Sequence, residues 1–88
     1  MARYFFDVHD LKLSACDHEG TDCADRKAVS DEALRALCQI AGDQPERYVS
    51  QKLRVVVRDA ADQIVMTAAL DLSAAWHIEQ AQAEAEAA

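Results

Sequence analysis

Four side chains in the first 23 residues carry metal-ligating chemistry: His9, Cys16, His18 and Cys23. Imidazole and thiolate are ordinary zinc ligands. Their spacing includes neither a C-x-x-C nor an H-x-x-x-H pair. Cys16 and His18 are two apart, so they share a face if that segment is extended. A small metal-binding protein is one reading, and a polar hairpin carrying ordinary side chains is the competing one. The carboxylates Asp17, Glu19, Asp22 and Asp25 surround Gly20 and offer oxygen donors for calcium. A calcium loop needs Gly at its sixth position and a bidentate Glu at its twelfth, and this register is not met. Turn formation and helix capping account for the same residues.

Cys16 or Cys23 beside His9 or His18 has the residue types of a nucleophile and its base. No Gly-rich elbow accompanies them, and a chain of 88 residues leaves little room for a substrate pocket of several hundred Å3. The two glycines, Gly20 and Gly42, are too far apart for a phosphate-cradling loop. The expectation is a protein that is not an enzyme and carries no metal and no cofactor.

Charge narrows the partners. Nine Lys and Arg stand against sixteen Asp and Glu, a net charge of -7. Nucleic-acid affinity rests largely on Lys and Arg at phosphates, so direct nucleic-acid binding is not expected. The local cluster Lys52, Arg54 and Arg58 reads as the solvated face of a strand. No apolar run approaches the roughly 18 residues of a membrane helix, and no signal peptide opens the chain. A cytoplasmic location is expected. Three cysteines, an odd number, do not suggest a disulfide framework. Cys38 falls within a helical apolar pattern and reads as a buried small hydrophobe.

These side chains need a scaffold, and the patterning supplies one. Tyr4, Phe6 and Val8 alternate with Arg3, Phe5, Asp7 and His9, a strand signal. Residues 11–15 can return as a second short strand, and Gly20 suits a turn at positive φ. Asp25 can cap a helix whose stripe is Val29, Ala33, Leu37, Ile40 and Ala41. An i,i+4 pair of Asp31 with Arg35 is expected on the wet side. Gly42 is placed to end the helix, and Gln44-Pro45 forbids its continuation. Leu53, Val55 and Val57 alternate with Arg54, Val56 and Arg58, and Ile64, Met66, Ala68 and Leu70 with Val65, Thr67 and Ala69. The polar join over residues 59–63 makes these two an antiparallel hairpin.

The expected architecture is α+β, in the order β-β-α-β-β. An antiparallel sheet is packed on one face by a single helix. Residues 1–72 form the one domain, and residues 73–88, rich in Ala, Gln and Glu, form a helical or frayed tail anchored by Trp76 and Ile78. Hydrophobic residues number 45, but 18 are Ala, so the core is modest and a domain of this size is marginal on its own.

The octapeptide over residues 3–10, RYFFDVHD, resembles the opening of a family of short bacterial proteins known only as domain of unknown function 6894. Asp17, Glu19-Gly20-Thr21, Asp25, the helix stretch EALRAL over residues 32–37, the strand VVVRD over residues 55–59, and Leu70 fit the same pattern. The resemblance spans roughly residues 2 to 72. It implies a compact single-domain bacterial protein and no activity. The chain departs from the family where members carry Gly after the opening Asp, here Leu11-Lys12-Leu13, and where the second hairpin turns through Asp-Gly, here residues 59–62. A looser similarity, at the level of the fold, is to antitoxins of the HicB type.

If the helix covers one sheet face, Phe5 and Val56 are left on the other. An apolar patch on an acidic surface marks an association site. The tail, through Trp76, would cover that patch within the chain or on a neighbour. The expected role is therefore protein–protein interaction or regulation as a homo-oligomer, with Phe5, Val56 and Trp76 at the interface. The alternative is an antitoxin-like or inhibitor protein that presents the acidic segment 17–25 to a basic partner.

Overall fold

The computed structural model describes residues 1–77. The chain runs β1 (Ala2–His9), β2 (Ser14–Ala15), β3 (Thr21–Cys23), α1 (Arg26–Asp43), a 3-10 turn (Pro45–Tyr48), β4 (Leu53–Arg58) and β5 (Ile64–Leu70). Among the described residues the strands form one open antiparallel sheet of five, in the order β2-β1-β4-β5, with β3 also paired to β1. The α+β class and the single helix agree with the patterning. The extra strand β3 does not follow from it, because three residues are too few to show a period.

β2 and β3 share one edge of β1. β2 pairs with Val8 and His9, and β3 pairs with residues 2–4. The carboxylate of Asp17 fills the gap between them, where Oδ2 accepts from the Phe6 amide at 3.1 Å. β2 is shorter than the expected strand over residues 11–15. Asp10 explains this. Its Oδ1 accepts from the Lys12 and Leu13 amides at 2.8 Å each, and its own amide donates to the Leu13 carbonyl. The chain turns there instead of extending, and Leu11 is left 81 % exposed.

The core lies between α1 and one sheet face. Val29, Ala33, Leu37 and Ala41 of the helix meet Leu53, Val55, Val57 and Ala68 of the sheet, with Tyr4, Phe6, Val8, Ile40, Met66 and Leu70 packed around them. Asp25 caps α1 as expected, accepting from the Ala28 amide at 2.8 Å. Gly42 does not end the helix. α1 continues to Asp43, and the chain leaves at Gln44 before Pro45 enforces the break. Asp31 pairs with Lys27 at 2.7 Å, one turn back, and not with Arg35. Cys38 is exposed. It follows Leu37 by one residue, about 100° around the helix from the buried stripe.

The β4–β5 hairpin closes through Asp59, whose Oδ1 accepts from the Ala61 and Gln63 amides. Asp62 takes the left-handed conformation at φ 65. The register slips at Val57/Arg58: Met66 faces Val57, but Ile64 faces Arg58. This bulge inserts Val65 and moves Ile64 off the core face where strict alternation places it. Ile64 is 67 % exposed. Residues 73–77 have neither helix nor strand, and Trp76 is 89 % exposed. Within this segment the expected helix is absent and Trp76 does not dock. The rest of that helix, with Ile78, lies outside the described residues.

Candidate interaction surface

The sheet face turned away from α1 is built in three cross-strand rows. Directly opposed residues share a face, so the rows are Phe5–Arg58–Ile64, Asp7–Val56–Thr67 and His9–Arg54–Ala69. Phe5 and Val56 lie where the alternation puts them, both half-buried. Trp76 lies beyond the end of β5 and touches neither in its exposed position.

A polar network occupies one end of this face. Asp7, 6 % exposed, accepts from Arg58 Nε at 2.7 Å and Nη2 at 3.1 Å, and from the Asp17 amide at 2.9 Å. The same guanidinium donates to the Asp17 carbonyl and to Asp62 Oδ1, and lies 5.1 Å from the Phe5 ring centroid. Arg58 is thus not the solvated strand residue its sequence neighbours suggest. The chemistry of Asp7 requires it: a buried carboxylate in a strand needs a partner from the facing strand. A hydrogen bond from Arg58 holds the Asp7 carboxyl below its ordinary pKa, against the upward push of burial. In turn the Asp7 and Asp62 carboxylates hold the Arg58 guanidinium firmly protonated.

The segment after β2 crosses over this network. Asp17 Oδ1 accepts from the Glu19 and Gly20 amides at 3.1 Å each. Burial pushes the Asp17 carboxyl up, but the three backbone amides of Gly20, Phe6 and Glu19 outweigh it and its pKa is lowered. Gly20 has φ 75, and a Cβ there would stand 2.9 Å from the Tyr4 carbonyl oxygen and 3.0 Å from Phe5 Cε1. Gly20 therefore sits tightly against Phe5 and the β1 backbone.

At the opposite end of β1, the Asp10 side chain is fully buried, accepting from Tyr48 Oη at 3.1 Å and pairing with Arg47 Nη2 at 3.1 Å. Burial raises the Asp10 carboxyl, but the amides of Lys12 and Leu13 with Tyr48 and Arg47 lower it overall. Burial, then Asp10 itself, pushes the Tyr48 hydroxyl up. This lock ties the 3-10 turn to β1.

The metal candidates do not converge. Cys23 faces Ala2 at one end of β1, while His9 is at the other end. Seven residues of strand separate those ends, about 24 Å. His9 Nδ1 bonds Ser14 Oγ at 2.9 Å. Cys16 and His18 are exposed. Among the described residues no group of three or more His, Cys, Asp or Glu is arranged to hold a metal. Of the calcium candidates, Asp17 is held by amides, Asp22 by Arg3 at 3.2 Å and Asp25 by the cap. Burial, then Glu32, Asp22 and Asp25, raises the Cys23 thiol. This works against a thiolate there.

Two concavities stand out among the described residues. A groove of about 420 Å3 runs between α1 and the start of β5, lined by Tyr4, Arg26, Val29, Ser30, Val65 and Met66. A hollow of about 230 Å3 lies against His9, Asp10, Leu11, Lys52 and Arg54. Among the described residues no helix is long and apolar enough to cross a membrane.

Together these features define a small α+β domain with an antiparallel sheet covered by a helix on one face only. Residues 3–71 match the family described as a domain of unknown function (DUF6894), and the chain belongs to that family. No curated protein and no solved structure matches it.

Proposed function

We propose that the chain is a non-catalytic interaction module that works as a homo-oligomer through the outward side of the sheet and its β5 margin. One observation carries this reading. The outward face and the β5 margin present half-buried Phe5 and Val56, Ile64 at 67 % exposure and Val65 at 47 %, with Trp76 at 89 % six residues beyond the end of β5. Apolar side chains grouped in this way on an acidic surface favour association. A small domain gains stability from a second copy that its own core does not supply. Three free thiols fit a reducing compartment, in keeping with action in the cytoplasm.

Light scattering on the full chain and on Trp76→Ala, each at low and high salt, tests the reading. A dimer that persists in high salt and weakens in Trp76→Ala is the expected result. A monomer under all conditions refutes it and leaves the acidic alternative, a salt-sensitive complex with a basic partner. That alternative has less behind it. Within segment 17–25 the carboxylates of Asp17, Asp22 and Asp25 are engaged inside the chain.

A further inference from the structure

β5 is the last strand in the sheet order, and only β4 pairs with it among the described residues. Its outer edge is a row of backbone donors and acceptors with no partner there. Natural sheets blunt such edges with short strands, charges, Pro or bulges. The other margin of this sheet follows that rule, because β2 has two residues and β3 three. β5 does not. It has seven residues, Ile64–Leu70, with no charged side chain and no Pro in the sequence IVMTAAL. The bulge disturbs only its first turn of pairing, and residues 66–70 keep a regular register with β4.

The partner that fits this edge is a second copy of the chain. An antiparallel strand edge is self-complementary about a two-fold axis, which closes the assembly at a dimer. A chain of net charge -7 tends to repel its copy, and β5 itself adds no charged side chain to that repulsion. The strand direction also says what comes next. In an antiparallel pair the segment after Leu70 of one copy runs beside the start of β5 in the other. There the groove lined by Tyr4, Val29, Val65 and Met66 stands open. Trp76 follows Leu70 by six residues, a reach of about 20 Å when extended. It is 89 % exposed in the single chain.

We propose that two copies join edge to edge through β5, antiparallel about a two-fold axis, and that Trp76 of each copy seats in the groove between α1 and β5 of the other. The sheet becomes continuous across the dimer, with main-chain hydrogen bonds supplying the pairing and Trp76 the apolar anchor. This rests on the homo-oligomer reading and names its contact.

Residue-resolved amide exchange by NMR, on the full chain at high and low protomer concentration, separates the two. Alternate β5 amides face β4 and are protected in any state. The other set faces outward. At a protomer concentration about 100 times Kd, about 7 % of the chain stays monomeric, so the outward set should exchange about 15-fold more slowly than in the dilute monomer. Trp76, the single tryptophan, should shift its emission to the blue over the same concentration range. A dimer in which the outward β5 amides stay unprotected overturns the edge contact and leaves the homo-oligomer reading standing. Protected amides with unshifted Trp76 emission overturn the groove. A monomer at every concentration overturns both.

Discussion

Replacing Asp7 with Asn removes one charge, keeps the side-chain shape, and tests whether the outward face is held by its polar network. Asp7 is 6 % exposed and takes three hydrogen bonds, two from Arg58 and one from the Asp17 amide. Breaking a buried pair by removing one partner costs about 3–5 kcal/mol. Arg58 keeps Asp62 and the Asp17 carbonyl and its side chain is 24 % exposed, so the low end applies, about 3 kcal/mol. A domain of 88 residues has about 4–13 kcal/mol in total. The variant should fold, with a Tm lower by about 12–24 °C.

The pH dependence is the sharper test. Arg58 lowers the Asp7 pKa in the folded state, so the stability Asp7 contributes is complete above its unfolded value of about 3.9 and is lost as pH falls through the folded value. Urea unfolding of both proteins should show a constant gap from neutral pH down to about 5, closing below about 4. A gap smaller than about 1 kcal/mol at neutral pH, or one that does not close in acid, refutes the assignment of this pair as what holds the Asp17 backbone on this face.

The two glycines should respond in opposite directions. Gly20→Ala forces a left-handed alanine with its Cβ 2.8 Å from Arg3 Cγ and 2.9 Å from the Tyr4 carbonyl oxygen, at a cost of about 2–5 kcal/mol in urea unfolding. Gly42→Ala meets nothing within 4 Å inside α1 and should stabilise by about 0.5–1 kcal/mol. Asp25→Ala removes the cap on the Ala28 amide and should cost about 1 kcal/mol, seen as earlier thermal loss of helical circular dichroism. Under native conditions a thiol reagent should modify Cys16 and Cys38 quickly and Cys23 only on unfolding, in keeping with their exposure. Equal rates at all three would contradict the packing of β3 on α1.

Period made much of this fold legible. The alternation in β1 and β4, the helical stripe from Val29 to Ala41 and the Asp25 cap are local signals, and the structure keeps them. What escaped the sequence was set by contacts between distant residues. The Asp7–Arg58 pair joins residues 51 apart, so Arg58 reads as one more outward cation until the register is known. The bulge that exposes Ile64 depends on how a five-residue turn closes. Asp10 shortens β2 by capturing two amides, an option open to any Asp ahead of a turn. The candidate surface was partly visible: Phe5 and Val56 follow from alternation alone, while Ile64 and the groove beside β5 do not.

The composition of the outward face bears on how copies of this chain could meet. Four of its nine positions, Asp7, His9, Arg54 and Arg58, are titratable, and Arg58 spreads its bonds over Asp7, Asp62 and the Asp17 carbonyl. A second sheet laid flat on this face would desolvate Arg54 without offering the carboxylate it needs, a cost that scattered apolar contacts do not offset. Phe5 is already partly covered by Gly20 and Arg58. The β5 edge has neither obstacle. Its seven residues carry no charge to desolvate, and its backbone groups gain partners on pairing. In the proposed dimer, association therefore rests more on the margin, at Ile64, Val65 and Trp76, than on Phe5.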